Sequence, residues 1–287
     1  MAALYHLLLL AASVTPVMSF CGSHTHLDRR AEGEVPIGTF GYSATEGPLL
    51  WTQLNATANG ACSTGTIQSP IDMVEGAFTL APASDLVLTL PDIPSGTVFE
   101  NLGTTVEVVT EGLGASLVVD GKTYELAQFH FHHPSEHIDN GVSLPMEMHM
   151  VFQTEAAEVA VMSVYVDLVD EPTSLLVHLL GQKTASSTLL ETIFSSVGEI
   201  ATPGTKTTTL PLIMSELQTL LTAGSFQRYT GSLTTPPCTE GVSWLVSTQK
   251  LLLSQTTFQA VRDVIGFNAR YPQNKLGQPN LLSMVSL

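Results

Sequence analysis

Basic residues are scarce in this chain: five lysines and five arginines stand against 26 acidic side chains, giving a formal net charge of -16 over 287 residues. So few cations cannot neutralise a phosphate backbone, which excludes nucleic acid as a partner and disfavours anionic membrane surfaces. The surplus of acid suits solubility in acidic or saline surroundings. Long apolar runs are missing as well. The run at 4–14 is broken by Tyr5 and His6 and is too short to cross a bilayer, and the stretch 281–287 is too short for a membrane anchor. The first run reads as the core of a secretory signal peptide over residues 1–19, without the usual basic start and with cleavage after Ser19. Internal repeats are absent. Cysteine is limited to Cys21, Cys62 and Cys238, an odd number that leaves one thiol over whenever two pair.

What the chain does carry is a set of three histidines on two short alternating segments. His130 and His132 lie in Gln-Phe-His-Phe-His, and His149 lies in Met-Glu-Met-His-Met. In a β-strand, residues i and i+2 share a face, so His130 and His132 stand side by side while Phe129 and Phe131 face a core. Ile138-Asp139-Asn140-Gly141 between the segments is a strong turn signal that folds the second back beside the first and brings His149 to the pair. Three imidazole nitrogens at roughly 2.0–2.1 Å suit Zn²⁺, and the missing fourth protein ligand leaves a position for water, as in a catalytic site. His-x-His alone is also an ordinary sheet pattern, so the flanking residues decide. Gln128 and Glu147 each precede a histidine by two and share its face, where they accept the proton of the outer ring nitrogen and fix the tautomer. A buried Glu147 without such a partner would be costly.

These residues resemble a known family. Gln128-Phe-His-Phe-His132, Pro134-Ser-Glu-His137, Met146-Glu-Met-His149 and Gly231-Ser-Leu-Thr-Thr-Pro-Pro-Cys238 are similar to the motifs of the α-class carbonic anhydrases, of the secreted, eukaryotic or bacterial-like type. Gly41-Tyr42, Gly47-Pro48, Trp51, Gln68-Ser-Pro-Ile71, Glu240-Gly-Val-Ser-Trp244 and Asn268-Ala-Arg270 follow the same order, so the resemblance spans residues 40–273. It implies a zinc lyase in which His130, His132 and His149 hold Zn²⁺ and a zinc-bound hydroxide attacks carbon dioxide to give bicarbonate. Thr234 then corresponds to the hydroxyl that accepts a hydrogen bond from the nucleophile, and Glu136 to the carboxylate that takes its proton. Thr235 lies near bicarbonate, Pro236 and Pro237 stiffen the loop, and Val151, Val161, Leu233, Val242 and Trp244 form an apolar wall for carbon dioxide. Each of those five is also a plain core residue. A non-catalytic binding module on the same fold, or esterase side activity at the same zinc, are the other functions this resemblance allows.

The chain departs from the family at one position. Where fast members carry a proton-shuttling histidine, the run is Asn101-Leu102-Gly103-Thr104, and Thr104 has no pKa near neutrality. Turnover limited by proton release is the expectation, with Glu107 on the same strand as a weak substitute. Among the other histidines, His137 is expected to support the fold, His133 to point away from the metal, His24 and His26 to sit in a solvated linker, and His178 to carry no signal.

The resemblance also pairs Cys62 with Cys238, next to the Thr234 loop. Closing so long a loop contributes on the order of 4–5 kcal/mol in the chain-entropy treatment. Cys21 is then lost with a propeptide, paired between chains, or left as a free thiol. Arg29-Arg30 offers a dibasic processing site or two solvated charges, and Asn55-Ala-Thr57 is a glycosylation acceptor in a eukaryotic secretory route. The expected organisation is a signal peptide at 1–19, a propeptide or linker at 20–35, a catalytic domain at 36–275 and a tail at 276–287, in a protein destined for the extracellular or cell-wall space. Strand-prone runs recur at 85–90, 104–110, 116–119, 124–132, 147–153 and 158–166, and helical periodicity at 173–180, 212–221 and 254–265, the last capped by Ser254. Periodicity alone supports a β-rich α+β domain. The resemblance adds that its centre is a large, twisted, mostly antiparallel β-sheet with short helices at the periphery.

Overall fold

A computed structural model of the chain describes residues 35–169 and 186–285. The expected signal peptide, Cys21, His24, His26, Arg29-Arg30, His178 and the expected helix at 173–180 lie outside the described residues. Among the described residues, twelve strands make one sheet. In chain order they are β1 (Thr79–Pro82), β2 (Val87–Thr89), β3 (Val98–Asn101), β4 (Val106–Val109), β5 (Ser116–Val119) and β6 (Lys122–His132). There follow β7 (Met146–Gln153), β8 (Val159–Leu168), β9 (Lys206–Thr208), β10 (Ser225–Ser232), β11 (Glu240–Ser247) and β12 (Leu251–Leu253). The helices are short: α1 (Trp51–Leu54), α2 (Ala61–Thr64), α3 (Thr188–Phe194), α4 (Met214–Thr222), α5 (Gln255–Ile265) and α6 (Leu281–Met284). The main path runs β1-β10-β11-β8-β7-β6-β4-β3-β9. Its pairs are antiparallel except β11 with β8, and β12 also joins β8 in parallel. This is the expected large, mostly antiparallel sheet.

Alternation along the three central strands divides the molecule. Phe129 and Phe131 of β6, Met146, Met148 and Met150 of β7, and Ala160, Met162, Val164 and Val166 of β8 enter one large core. Helices α3, α4 and α5 cover that face with Leu189, Leu190, Ile193, Phe194, Met214, Leu217, Leu221 and Val261. The alternate residues, His130 and His132, Glu147 and His149, and Ser163, are turned to the other face and are buried there. Period-2 patterning therefore decides which side chains reach the core and which reach the site.

Several sequence expectations shift at their edges. The run at 85–90 opens in a 3-10 turn at Ala83–Asp85, which leaves a strand only at Val87–Thr89. The helix expected at 212–221 starts at Met214, because Leu212 exchanges both backbone hydrogen bonds with Ile93 at 2.9 and 3.0 Å. The strand expected at 104–110 begins at Val106. Helix α5 begins where expected, with the Ser254 hydroxyl accepting from the Thr257 N–H. Strands β10 and β11 were not among the expected runs. Segment 276–284 is docked: buried Asn280 donates to the carbonyls of Cys62 and Gly65 at 3.3 and 3.1 Å.

Candidate active site

The site forms where β6 and β7 lie side by side. Their antiparallel register sets His130 opposite His149 and His132 opposite Glu147. The connecting segment carries the expected turn, with Asn140 and Gly141 both in the left-handed region (φ 50° and 84°) and Asp139 paired with Val142. Asparagine and glycine tolerate that conformation best, which is why the sequence signal was readable. The imidazoles of His130, His132 and His149 then converge, with ring centroids 4.5–5.4 Å apart.

Each ring is held through its outer nitrogen. His130 Nδ1 lies 2.9 Å from Gln128 Oε1, and His149 Nε2 lies 2.8 Å from Glu147 Oε1. His132 Nδ1 lies 2.9 Å from the Asn268 carbonyl, an orienting contact that the sequence reading missed although Asn268 stood in one of its motifs. A carbonyl and a carboxylate accept only, so His132 must donate from Nδ1 and His149 from Nε2. That leaves lone pairs on His132 Nε2 and His149 Nδ1, facing the same point as His130 Nε2, which is 3.2 Å from His132 Nε2. Burial holds His132 as neutral imidazole, with its pKa down at about 4, and lowers that of His149 in the same sense. Converging neutral imidazoles with crowded nitrogen lone pairs are what a divalent cation relieves, so the donor set fits zinc with one position open.

Glu147 gathers the network behind the ligands. Its Oε2 accepts the backbone N–H groups of Glu136 and His137, both at 2.7 Å. Its Oε1 accepts from His149, from His137 Nδ1 at 2.6 Å and from the Ser163 hydroxyl. Burial pushes this carboxylate upward, but the His137 and His149 imidazoles outweigh it and hold the pKa well below the usual range. His137, Glu147 and His149 also lie close enough together to suggest a second cation site. Their facing atoms are already hydrogen-bonded to one another, so that cluster is a scaffold. His137 therefore has the supporting place expected of it, and His133 points away, with Nδ1 3.1 Å from the Gly266 carbonyl.

The loop that carries Thr234 is pinned across its own turn. Leu233 N–H donates to the Thr239 carbonyl and Cys238 N–H to the Thr235 carbonyl, both at 2.9 Å. The Cys62–Cys238 disulfide ties the loop to the N-terminal part of the domain. Glu136 is buried beside it. Its Oε1 accepts the Arg270 N–H at 2.8 Å, and its Oε2 is 3.5 Å from His132 Nε2. Burial raises its pKa to about 7, against the pull of His149, the Thr234 hydroxyl and the Arg270 N–H. Thr234 thus stands beside Glu136 without closing a hydrogen bond of good geometry on Oε2.

The five expected wall residues come together. Val151, Val161, Val242 and Trp244 share a second, smaller apolar cluster with Leu233 packed on it, and the Trp244 ring is 4.9 Å from that of His149. Thr104 lies in the turn between β3 and β4, only 5% exposed, and Gly38 packs directly over it. Glu107 is fully buried opposite His130 and has no direct contact with bulk water. Asn55 is exposed, with its Oδ1 accepting the Ala58 N–H at 3.0 Å.

Comparison with known proteins agrees with this geometry. The family profile described as eukaryotic-type carbonic anhydrase matches residues 46–280. Alpha carbonic anhydrase 6 of Arabidopsis thaliana is 32% identical over 222 residues, 77% of each chain. A carbonic anhydrase of Neisseria gonorrhoeae is 33% identical over 227 residues, 78% of this chain and 75% of its own. Among solved structures, the fungal alpha carbonic anhydrase from Aspergillus oryzae superposes with a TM-score of 0.77 at 42% identity, covering 85% of this chain and 97% of that one.

Proposed function

The chain belongs to the eukaryotic-type carbonic anhydrases, and from that membership we propose that it interconverts carbon dioxide and bicarbonate at a zinc ion held by His130, His132 and His149. Carbonate dehydratase activity follows from the family. One observation carries the zinc assignment: the outer nitrogens of all three rings are engaged, so the inner nitrogens meet at one point. A zinc ion bound there supplies a nucleophile at neutral pH by lowering the pKa of a coordinated water from 15.7 to about 7.

The surrounding residues orient the reaction. When Glu136 is ionised it accepts hydrogen bonds only, so a Thr234 hydroxyl that closes on its open Oε2 must donate and would turn its own lone pair toward the nucleophile, which would fix the direction of attack. Val151, Val161, Leu233, Val242 and Trp244 give the apolar substrate a wall without competing polar handles, and Thr235 stands on the bicarbonate side. Thr104, without a neutral-range pKa and covered by Gly38, leaves the product proton to external buffer, so turnover is slower than in members with a shuttle. The disulfide is compatible with an oxidising, extracellular or cell-wall setting, and exposed Asn55 is open to glycosylation there. A domain core at 36–275 with the segment from 276 packed onto it completes the reading.

Stopped-flow carbon dioxide hydration, before and after zinc removal and across an imidazole series, tests both halves. Zinc-dependent activity that rises with imidazole is the expected result. Activity that is fast and indifferent to imidazole removes the proton-release limit, and folded, zinc-loaded protein without activity removes the lyase assignment.

A further inference from the structure

The turn that carries Thr104 lies under a short piece of chain from the N-terminal side. The Gly38 N–H donates to the Leu102 carbonyl at 3.1 Å, and a Cβ on Gly38 would lie 2.8 Å from Thr104 Cγ2, so the backbone of residue 38 rests directly on the threonine. Ile37 sits beside it over two turns. A Cβ at Gly103 would stand 3.5 Å from Ile37 Cγ2, and one at Gly204 3.2 Å from Ile37 Cδ1. Both glycines are left-handed (φ 77° and 84°), and the Gly204 N–H donates to the Asn101 carbonyl at 2.8 Å, which holds the two turns together. Thr104 stands one residue away from the site. Asn268 Nδ2 donates to the carbonyls of Thr104 and Phe131 at 3.0 and 2.9 Å, while the Asn268 carbonyl faces His132 Nδ1.

The two ends of this piece are held unequally. Downstream, Phe40 is buried with its ring 5.4 Å from that of Trp51. The Gly41 N–H donates to the Glu46 carbonyl at 3.0 Å, and the Gly41 carbonyl accepts the Trp51 indole N–H at 3.0 Å. Upstream, residues 35–39 make one backbone hydrogen bond among the described residues, that of Gly38, and the Ile37 anchor is 56% exposed. The seated arrangement also carries a cost. Thr104 Oγ1 is buried without a hydrogen-bond partner among the described residues, which is unfavourable for a hydroxyl. Lifting residues 35–38 lets water reach that hydroxyl and gives up only one hydrogen bond and the contacts of a half-exposed aliphatic side chain.

We propose that residues 35–38 form a strap, hinged at Phe40, that opens and closes the exit from the site at Thr104, so that an external proton acceptor enters only past a lifted strap. Thr104 is then more than the absence of a shuttle. It is the seat of the strap, and a side chain as large as histidine has no room there while Gly38 is in place. A seated strap and a shuttle at position 104 exclude one another. The inference deepens the proton-release reading above and rests on it.

Amide hydrogen exchange in the wild-type protein reads the strap without any activity. The Gly38 N–H is expected to exchange faster than the Gly41 N–H, although both donate to backbone carbonyls. Two variants then unseat the strap by different means: Ile37→Gly removes its anchor, and Gly38→Ala drives a wedge against Thr104. Each is expected to speed exchange of the residue-38 amide about tenfold, the scale set by losing one partly buried aliphatic side chain. The imidazole concentration for half-maximal carbon dioxide hydration should fall by the same factor, because apparent affinity scales with the fraction of open molecules. Zinc content should stay as in the wild type. Circular dichroism identifies a variant that fails to fold, in which case the other variant and the wild-type exchange decide. A Gly38 amide as protected as that of Gly41, or an unchanged half-maximal imidazole concentration in the folded variants, would overturn the proposal. Wild-type turnover indifferent to imidazole would instead overturn the proton-release reading, and exchange at Gly38 would still decide whether the strap opens.

Discussion

The two faces of strands β6, β7 and β8 are built from neighbouring residues and obey different rules. On one face Phe129, Phe131, Met148 and Met150 touch other apolar side chains, in a core whose methionines are flexible and polarisable. On the other, His130, His132, Glu147, His149 and Ser163 each meet a partner at a fixed distance and angle. The first face tolerates reshaping and carries the stability. The second tolerates almost no reshaping, since a buried polar group without its partner is costly. In Met-Glu-Met-His-Met the two rules alternate residue by residue.

Breaking the comparison most severely means removing the polar face one group at a time. His149→Ala takes away one of three converging nitrogens. The expected outcome is protein that retains no zinc after dialysis and hydrates carbon dioxide no faster than buffer, while its urea unfolding midpoint falls but its transition stays cooperative, because buried Glu147 loses one donor and keeps those of His137, Ser163 and two backbone N–H groups. A metal assay with an unfolding curve checks it, and retained stoichiometric zinc would contradict the ligand set. Thr234→Ala should leave zinc at about one per chain and lower kcat/KM by about 10²-fold, the cost of losing orientation at the attacking atom. An unchanged kcat/KM would remove Thr234 from the mechanism.

The sequence made this face legible because strand alternation is local. The His-x-His spacing, Gln128 and Glu147 at minus two, and the Asn-Gly turn can all be read within a short window. The side-chain contacts of buried Ser69 were not legible by the same means. Its hydroxyl meets Tyr229 across 160 residues, and Ser232 meets it across 163. Contacts of that span leave no periodicity, and only the motif order of the resembling family hinted that Gln68-Ser-Pro-Ile71 belonged near the site. Strands β10 and β11 escaped for a related reason. Strand β10 reads Ser-Phe-Gln-Arg-Tyr-Thr-Gly-Ser, whose few apolar residues are divided between the two clusters, and its place in the sheet comes from pairing with β1 and β11.

Met148→Ala sharpens the comparison from the apolar side. Met148 is fully buried in the large core and is the immediate neighbour of His149. Truncation there should cost about 2–5 kcal/mol in unfolding free energy, while the folded protein still binds zinc and keeps its kcat/KM. A variant that instead loses zinc at full stability would show that the faces are not separable.

The smallest expected effect tests a polar pin set among the helices of the apolar side. Glu191 on α3 accepts from the Ser254 N–H at 2.9 Å and from the Thr257 hydroxyl, and so holds the start of α5 against α3. Partial burial pushes its pKa up, but those hydrogen bonds outweigh it and leave the pKa below its ordinary value of 4.5. A carboxylate depressed in the folded state stabilises fully above that ordinary value, and the contribution disappears as pH falls through the lower folded value. Wild-type protein should therefore exceed Glu191→Gln in thermal midpoint by a small, constant margin near neutrality. The margin should close as the pH drops below 4.5. A margin that persists in acid would mean that Glu191 acts by shape rather than by charge, which would make it one more packed residue of the apolar face.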